Sequence, residues 1–471
     1  MEQRAVSRFN EEQVESLSKS LGEPNWLRDY RLEAFRSFSS LPLEPSPLYK
    51  KYEGVSAFDP EQFPVSPDDE RVDLRTHFAG YLTGKETNII LQGNSTTVHV
   101  DLDQEFAKSG IEVLSMREAL SKNERLVRDL LSRRLADPAK EKYAAFNAAF
   151  FNSGTFIHVP KGASAPSALR RMLVTRNPSS SVVELTIIYA EEASKFSYLE
   201  ELYTAESSDQ FLVSSALDVF AEVGAQVDTS TLQLLDEKAV YLSNSGVSVE
   251  TNAKATLASI LLGGIITRSR FNLGLNGRGS SFEGYQVFFC DGQQRYDLDT
   301  NLVHNSPDSS GSFTARGVLK DASQSIFKGM VKIKKGAKNS HSYLAHHAML
   351  LDKRARSDAI PGLDIDTNEV KATHSASVAQ IDEEQIFYLM ARGLPLDEAK
   401  KLIIVGFFEP VLSRIPIEFA REGAKFTVEG KWSGLRRRLV DRETLLAITG
   451  EAPTEAKHGA DIFERHYKYR G

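Results

Sequence analysis

The stretch LKDASQSIFKGMVKIKKGAK, residues 319–338, begins and ends with the same kind of corner: an apolar residue, a polar turn and then a small residue. Several such corners are roughly 26–33 residues apart, which suits one turn of a solenoid whose coils stack in register. Small residues are needed where the backbone bends sharply over its neighbour. The pattern therefore predicts a parallel β-helix. Related phrases begin at Val159, Ala190, Ala221, Val249, Leu275 and Leu351.

The region 151–376 consists of short β-branched runs separated by Gly, Ser, Asn and Asp clusters, without helical periodicity. A β-sandwich would also give many short strands. Its hairpins, however, favour two-residue Asn-Gly or Asp-Gly turns, which are scarce here. Both architectures stay open on this pattern, and the β-helix is favoured.

Both ends of the chain are helical in pattern. Residues 1–150 form a mixed, mainly helical N-terminal unit, with apolar residues at helical spacing from Trp26 to Phe38. Residues 377–420 form a second helical unit, and residues 421–471 are an extension whose role the sequence does not indicate. The expected fold class is mainly β, with helical domains on either side of the core.

The C-terminal unit carries clear helix signals. Asp382 is a good N-cap with Gln385 three residues later, Gly393 supplies a stop, and Pro395 opens a second helix. These helices hold more apolar surface than a two-helix cap needs. They either seal the open end of the solenoid or dock a partner. The apolar residues are Ile386, Phe387, Met390, Leu402, Ile403, Phe407 and Phe408.

Composition excludes several classes of function. The net charge of −7 over 471 residues gives no general attraction to phosphate backbones or anionic lipid, so we expect neither a nucleic-acid nor a membrane partner. The longest apolar run, Leu257–Ile266, is far shorter than the ~20 residues of a membrane-spanning helix. The first residues lack an apolar export segment, and we expect a cytoplasmic protein. No GxxxxGK[ST] loop is present, so no nucleotide is bound by that route.

Cys290 is the single cysteine, which excludes internal disulfides and every metal motif that needs several thiolates from one chain. His341, His346 and His347 form the densest histidine group. On a strand, however, His346 and His347 point to opposite faces and cannot chelate one metal together. His346 lies 28 residues before His374, about one solenoid turn, so stacking of coils is able to bring those two together.

Asp297 and Asp299 share one face of a predicted strand. In a β-helix glycosidase or lyase such a pair supplies an acid and a base. A β-helix carbohydrate-active enzyme is therefore the alternative function, although solvated aspartates on a strand face are far commoner.

Five segments together resemble the SufB/SufD scaffold proteins of iron–sulfur cluster assembly, over about residues 26–417. They are GIEVLSMREALSKNERLVRDLL, KYAAFNAAFFNSGTFIHVPKGA, GQQRYDLDTNLVHNSPDSSGSFTARGVL, FKGMVKIKKGAKNSHSYLAHHAMLL and HSASVAQIDEEQIFYLMARGLPLDEAKKLIIVGFF. The resemblance implies a right-handed parallel β-helix between two helical domains, agreeing with the patterns above. It also implies a non-catalytic scaffold that pairs with a second scaffold subunit through the β-helix.

In this family the C-terminal helical domain holds the ATPase SufC, which assigns residues 381–410 to the ATPase dock. The implied partner-binding residues are Asp382, Glu383, Glu384, Gln385, Ile386, Phe387, Tyr388, Arg392, Leu402, Phe407 and Phe408.

The chain resembles SufD more than SufB. SufB carries a cysteine where this chain has His346, and His-Glu where this chain has His374 and Ser375. The resemblance implies that His374 meets a transient iron–sulfur cluster at the interface with a SufB-like subunit, whose thiolate it would complement. His346 is a weaker candidate ligand, and a homodimer is the other pairing left open.

Overall fold

The computed structural model describes residues 9–433, except for residues 45, 56–57, 67–71, 74–76, 79–80 and 83–85. The predicted extension covers residues 421–471. Its first residues belong to the helix Glu418–Trp432, and residues 434–471 lie outside the described residues. The fold is mainly β, a parallel β-solenoid of about 8 turns with helical segments at both ends, as the corner pattern predicts.

The N-terminal unit begins with helix α1 (Glu11–Leu21), which Asn10 and Gln13 start with reciprocal side-chain to backbone bonds. Gly22 ends it in the left-handed conformation, with φ of 69°. The unit also contains short 3-10 helices at Lys50–Val55 and Pro60–Gln62. Its other elements are α2 (Asn25–Ser40), β1 (Ile89–Gly93), β2 (Thr96–Asp101), α3 (Gln104–Lys108), β3 (Glu112–Ser115), α4 (Met116–Ser132) and α5 (Lys142–Phe150).

Among the described residues, sixteen strands form the solenoid, and each turn contributes one strand to each of two sheets. Strands of even number pair in parallel in one sheet, and strands of odd number pair in parallel in the other. The strands are β4 (Ser153–Val159), β5 (Leu169–Arg176), β6 (Val182–Ala190), β7 (Lys195–Glu206), β8 (Phe211–Ala221), β9 (Gln226–Leu234), β10 (Ala239–Val249), β11 (Lys254–Leu261), β12 (Ile266–Leu275), β13 (Ser281–Cys290), β14 (Arg295–His304), β15 (Ser310–Leu319), β16 (Gln324–Ile333), β17 (His341–Leu350), β18 (Arg356–Ile365) and β19 (Lys371–Gln380).

The recurring phrase forms the corners of the coils. At one corner the amide of Ala193 donates to the carbonyl of Val223 in the next coil, and the amide of Gly224 donates in turn to Thr251, both at 2.9 Å. Gly224 has φ of 69°, which suits a residue without a Cβ. Ala225, the small residue that ends this phrase, is fully buried. The corners therefore stack through backbone hydrogen bonds, and small side chains let them approach.

The two ends of the solenoid differ. At the first end, β2 and β3 pair antiparallel with β1 and β4 and close the sheets, and Phe106 of α3 is fully buried there. At the other end, β18 and β19 pair with β16 and β17 on one side only, within the described part of the chain. The last coil therefore has an open edge.

Helices cover the outer faces of both sheets. The N-terminal unit packs its apolar side chains against outward residues of the even-numbered strands, such as Leu185 and Leu242. The C-terminal helices α6 (Glu383–Ala391), α7 (Leu396–Leu412) and α8 (Glu418–Trp432) follow β19. Helices α7 and α8 pack against the outer face of the odd-numbered strands, so they do not seal the open end.

Candidate functional site

The open coil presents its side chains and its backbone to solvent. Most residues of β19 are exposed, and Val378 is 41% exposed although it lies on the face that is buried in earlier coils. The amides of Lys371 and Ile381 donate back to the preceding coil, at 3.0 and 2.9 Å. Because amides alternate along a strand, the even-numbered residues of β19 direct theirs toward the open edge. Such an edge is a template for pairing with another chain.

His374 lies in this open coil. It pairs in register with Leu344 of β17, which is fully buried in the interior core. Residues in register share a face of the sheet, so His374 projects from the interior face of the solenoid. It is exposed because no further coil covers it in the described part of the chain. His374 therefore lies at the rim of the solenoid, and its role as a ligand stays a prediction.

His346 occupies the same face one coil earlier, where it pairs in register with Ala376. It is fully buried, and its ring stacks on Phe327 and Phe288 with centroids 4.7 and 6.0 Å apart. Burial lowers its pKa to about 3, with a smaller contribution from His347. Stacking of coils thus places His346 and His374 on the same face of neighbouring strands, two residues out of register. The apolar enclosure of His346, however, closes this imidazole to an incoming metal.

His347 points outward, as alternation along a strand requires, and its Nδ1 lies 2.7 Å from the hydroxyl of Ser377. Burial and the neighbouring Arg316 guanidinium lower its pKa. His341 is exposed at the start of β17. Among the described residues, no three His, Cys, Asp or Glu side chains group closely enough to hold a metal ion.

Asp297 and Asp299 share one face of β14, as the sequence indicates, but both are buried. The Lys328 ammonium lies 2.8 Å from Asp297, and the Arg270 guanidinium bonds Asp299. Glu44 of the N-terminal unit pairs with the same lysine at 2.9 Å. The alternative of a carbohydrate-active enzyme is therefore wrong for this pair, because the N-terminal unit covers both carboxylates and cations pair with them.

Cys290 is fully buried on the interior face, and burial raises the pKa of its thiol far above the ordinary value. It is therefore held as a neutral thiol in the core.

The C-terminal helices expose part of the predicted dock. Asp382 caps α6 by accepting from the amides of Glu384 and Gln385, at 2.9 and 3.2 Å. These bonds fix the start of the helix at Glu383. Phe387, Tyr388 and Leu402 are 74%, 57% and 41% exposed, while Glu383, Glu384, Gln385 and Arg392 are exposed polar neighbours.

Other members of the predicted dock face inward. Phe408 is fully buried against the outer face of the odd-numbered strands, and Ile386 is buried. The Phe407 carbonyl accepts from Arg316, whose guanidinium also lies 5.0 Å from the Phe407 ring. Phe408 and Ile386 therefore hold the helices in place and do not contribute to a surface. Met390 and Leu396, exposed by 44% each, add to that surface, and only Met390 was identifiable from helical spacing.

Comparison with known proteins identifies the protein family. A family model described as "SUF system FeS cluster assembly, SufBD core domain" matches residues 173–407, and one described as "SufBD protein N-terminal region" matches residues 3–170. The chain belongs to the SufBD family of iron–sulfur cluster assembly proteins. The expected family is therefore confirmed.

Curated relatives agree along nearly their whole length. The chain is 27% identical over 428 residues to the iron–sulfur cluster assembly protein SufD of Bacillus subtilis, covering 90% of this chain and 98% of that protein. It is also 27% identical over 447 residues to an iron–sulfur cluster assembly SufBD family protein of Staphylococcus epidermidis, covering 91% and 94%. No helix in the described part of the chain is long and apolar enough to cross a membrane.

Proposed function

We propose that this chain is a SufD-like, non-catalytic scaffold subunit of the SUF machinery, which pairs with a SufB-like subunit and docks a SufC-like ATPase. The observation that carries the proposal is the open coil. One end of the solenoid is closed by antiparallel strands, whereas β18 and β19 have no further strand beside them in the described part of the chain. A soluble protein covers or blunts such an edge unless another chain completes it.

The iron–sulfur cluster is cargo that forms at this interface. The chain has no accessible thiol among its described residues, since Cys290 is buried, so the cluster's cysteine ligand comes from the partner. His374 is the exposed imidazole on the interior face of the open coil, and a neutral imidazole is a suitable iron ligand or hydrogen-bond donor there.

Substitution of His374 tests this role. In the complex of this chain with its SufB-like and SufC-like partners, we expect His374→Ala to reduce cluster content, read from iron, sulfide and visible absorbance. The control His341→Ala removes an exposed imidazole from the neighbouring strand β17 and should leave cluster content unchanged. Equal cluster content in both variants would show that His374 does not hold the cluster. It would not contradict the proposed pairing with the SufB-like subunit.

The ATPase dock is supported by the exposed apolar surface of α6 and α7. Phe387 and Tyr388 are large, solvent-exposed aromatic side chains of the kind that carry binding energy in interfaces. We expect the double substitution Phe387→Ala and Tyr388→Ala to weaken ATPase binding at least tenfold in titration calorimetry.

The matched control is Val223→Ala, which removes an exposed apolar side chain from a solenoid corner. It should bind the ATPase as the unsubstituted chain does. Equal affinity of the double variant and the control would refute the dock at α6.

A further inference from the structure

Polar residues occupy the interior of the middle coils, where apolar side chains would be expected. Two register lines run along the solenoid, one in each sheet. The residues are Glu200, Thr231, Ser259 and Gln286 in the odd-numbered strands, and Ser215, Ser243 and Ser269 in the even-numbered strands.

The two lines face each other across the interior. The Ser215 hydroxyl lies 3.3 Å from the Glu200 carboxylate, which joins the lines in the first of these coils. Because later coils keep the same register, Ser243 lies opposite Thr231, and Ser269 opposite Ser259. Neighbouring interior positions on the same strands, such as Val227, are apolar and belong to the core.

Several of these polar groups have no hydrogen-bond partner among the residues that the structure describes. Both amide atoms of Gln286 and the Ser269 hydroxyl are fully enclosed without a hydrogen bond. Thr231 and Ser243 each keep some accessible surface, although each lies on the interior face of a strand that is paired on both sides. Enclosed sheets cannot expose interior side chains to bulk solvent, so that accessible surface borders an internal space.

Both ends of this space are closed. At one end Arg171 bridges Glu184 and Glu200, with contacts of 3.0 and 2.7 Å, and all three are fully buried. At the other end lie the stacked rings of Phe327 and His346. A polar and enclosed space with unpaired donors and acceptors is the kind of site that holds buried water, whereas empty cavities are apolar.

We propose that the middle coils of the solenoid enclose a chamber between Thr231 and Ser243 that binds ordered water, held by these two facing hydroxyl groups. Water both donates and accepts hydrogen bonds, so one molecule can bond two facing hydroxyl groups. This site does not depend on the proposed function.

Thr231→Val tests the chamber, because valine keeps the shape of threonine and removes only its hydroxyl. The control is Thr300→Val, which removes an enclosed hydroxyl that has no partner and no accessible space. If water fills the chamber, Thr231→Val loses hydrogen bonds and lowers the melting temperature, whereas Thr300→Val leaves it equal or higher. A melting temperature of Thr231→Val at or above that of the unsubstituted chain would overturn the proposal.

Xenon binding provides a second test of the chamber, one that needs no substitution. Crystals of the full chain under xenon pressure should show ordered waters between the two register lines and no xenon there. Xenon density in the chamber would show a dry cavity and overturn the proposal.

Discussion

At the scale of single residues, the His346 imidazole combines a polar ring with an apolar enclosure. Its pKa is lowered to about 3, whereas a histidine in the unfolded chain titrates near 6.5. Below about pH 6.5 the unfolded chain therefore binds a proton that the folded chain does not bind, and the free energy of unfolding falls with pH until about pH 3.

His346→Leu removes this linkage. We expect the free energy of unfolding of the variant, relative to the unsubstituted chain, to rise by about 2 kcal/mol between pH 7 and pH 5. Urea unfolding at the two pH values measures the difference. If the difference in unfolding free energy between the variant and the unsubstituted chain is the same at both pH values, the His346 imidazole titrates freely in the folded state.

Lys328 makes a buried ionic contact between the N-terminal unit and the sheet. It is buried between Glu44 and Asp297, at 2.9 and 2.8 Å. Lys328→Met keeps the length of the side chain but leaves two buried carboxylates without this cation, and we expect a loss of about 3–5 kcal/mol in unfolding free energy. The control Lys332→Met breaks a solvent-exposed pair with Asp364 and should change little. Equal effects of both substitutions would contradict the contact.

At the scale of elements, helical spacing identified α6 and α7 but not the surface against which they pack. Phe387 and Phe408 are both aromatic residues of amphipathic helices, yet one is 74% exposed and the other is fully buried. The period of a helix defines its apolar stripe, whereas the element that covers the stripe is set by tertiary contacts far away in sequence. The helix that carries Phe408 contacts β13 and β15, which lie about 90 to 130 residues earlier in the chain.

This difference is measurable in stability. We expect Phe408→Ala to lower the free energy of unfolding by about 3–5 kcal/mol, because it leaves a cavity between α7 and the sheet. Phe387→Ala should change it by less than about 0.5 kcal/mol, since the ring is already in solvent. A large loss for Phe387→Ala would mean that its ring is covered within the folded chain.

At the scale of the whole molecule, the sequence predicts the solenoid well because its cause is local. Corners such as the one ending at Ala225 repeat the same turn residues, so the sequence pattern marks where each coil ends. The burial of Asp297 was not predictable, because Glu44 comes from a segment about 250 residues away. His374 was identified, since a histidine in the last strand before the helices lies at the end of any stack of coils.

The open edge gives a prediction at this scale. Val378 directs its amide toward the edge by alternation from Ile381, whose amide donates to the preceding coil. Val378→Pro removes that edge donor while keeping the bonds to β17, so we expect loss of pairing with the SufB-like subunit in size-exclusion light scattering. Val378→Thr keeps the amide and should still pair. Pairing by both variants would show that the interface does not use this backbone.

Hydrogen exchange of the chain, with and without the proposed SufB-like partner, tests most directly whether the open coil is the pairing surface. If the open coil is the pairing surface, amides of residues 356–380 should gain protection when the partner is added, while the closed end at residues 96–115 exchanges as before. Unchanged exchange across residues 356–380 in a formed complex would contradict the account, because the partner would then be bound elsewhere.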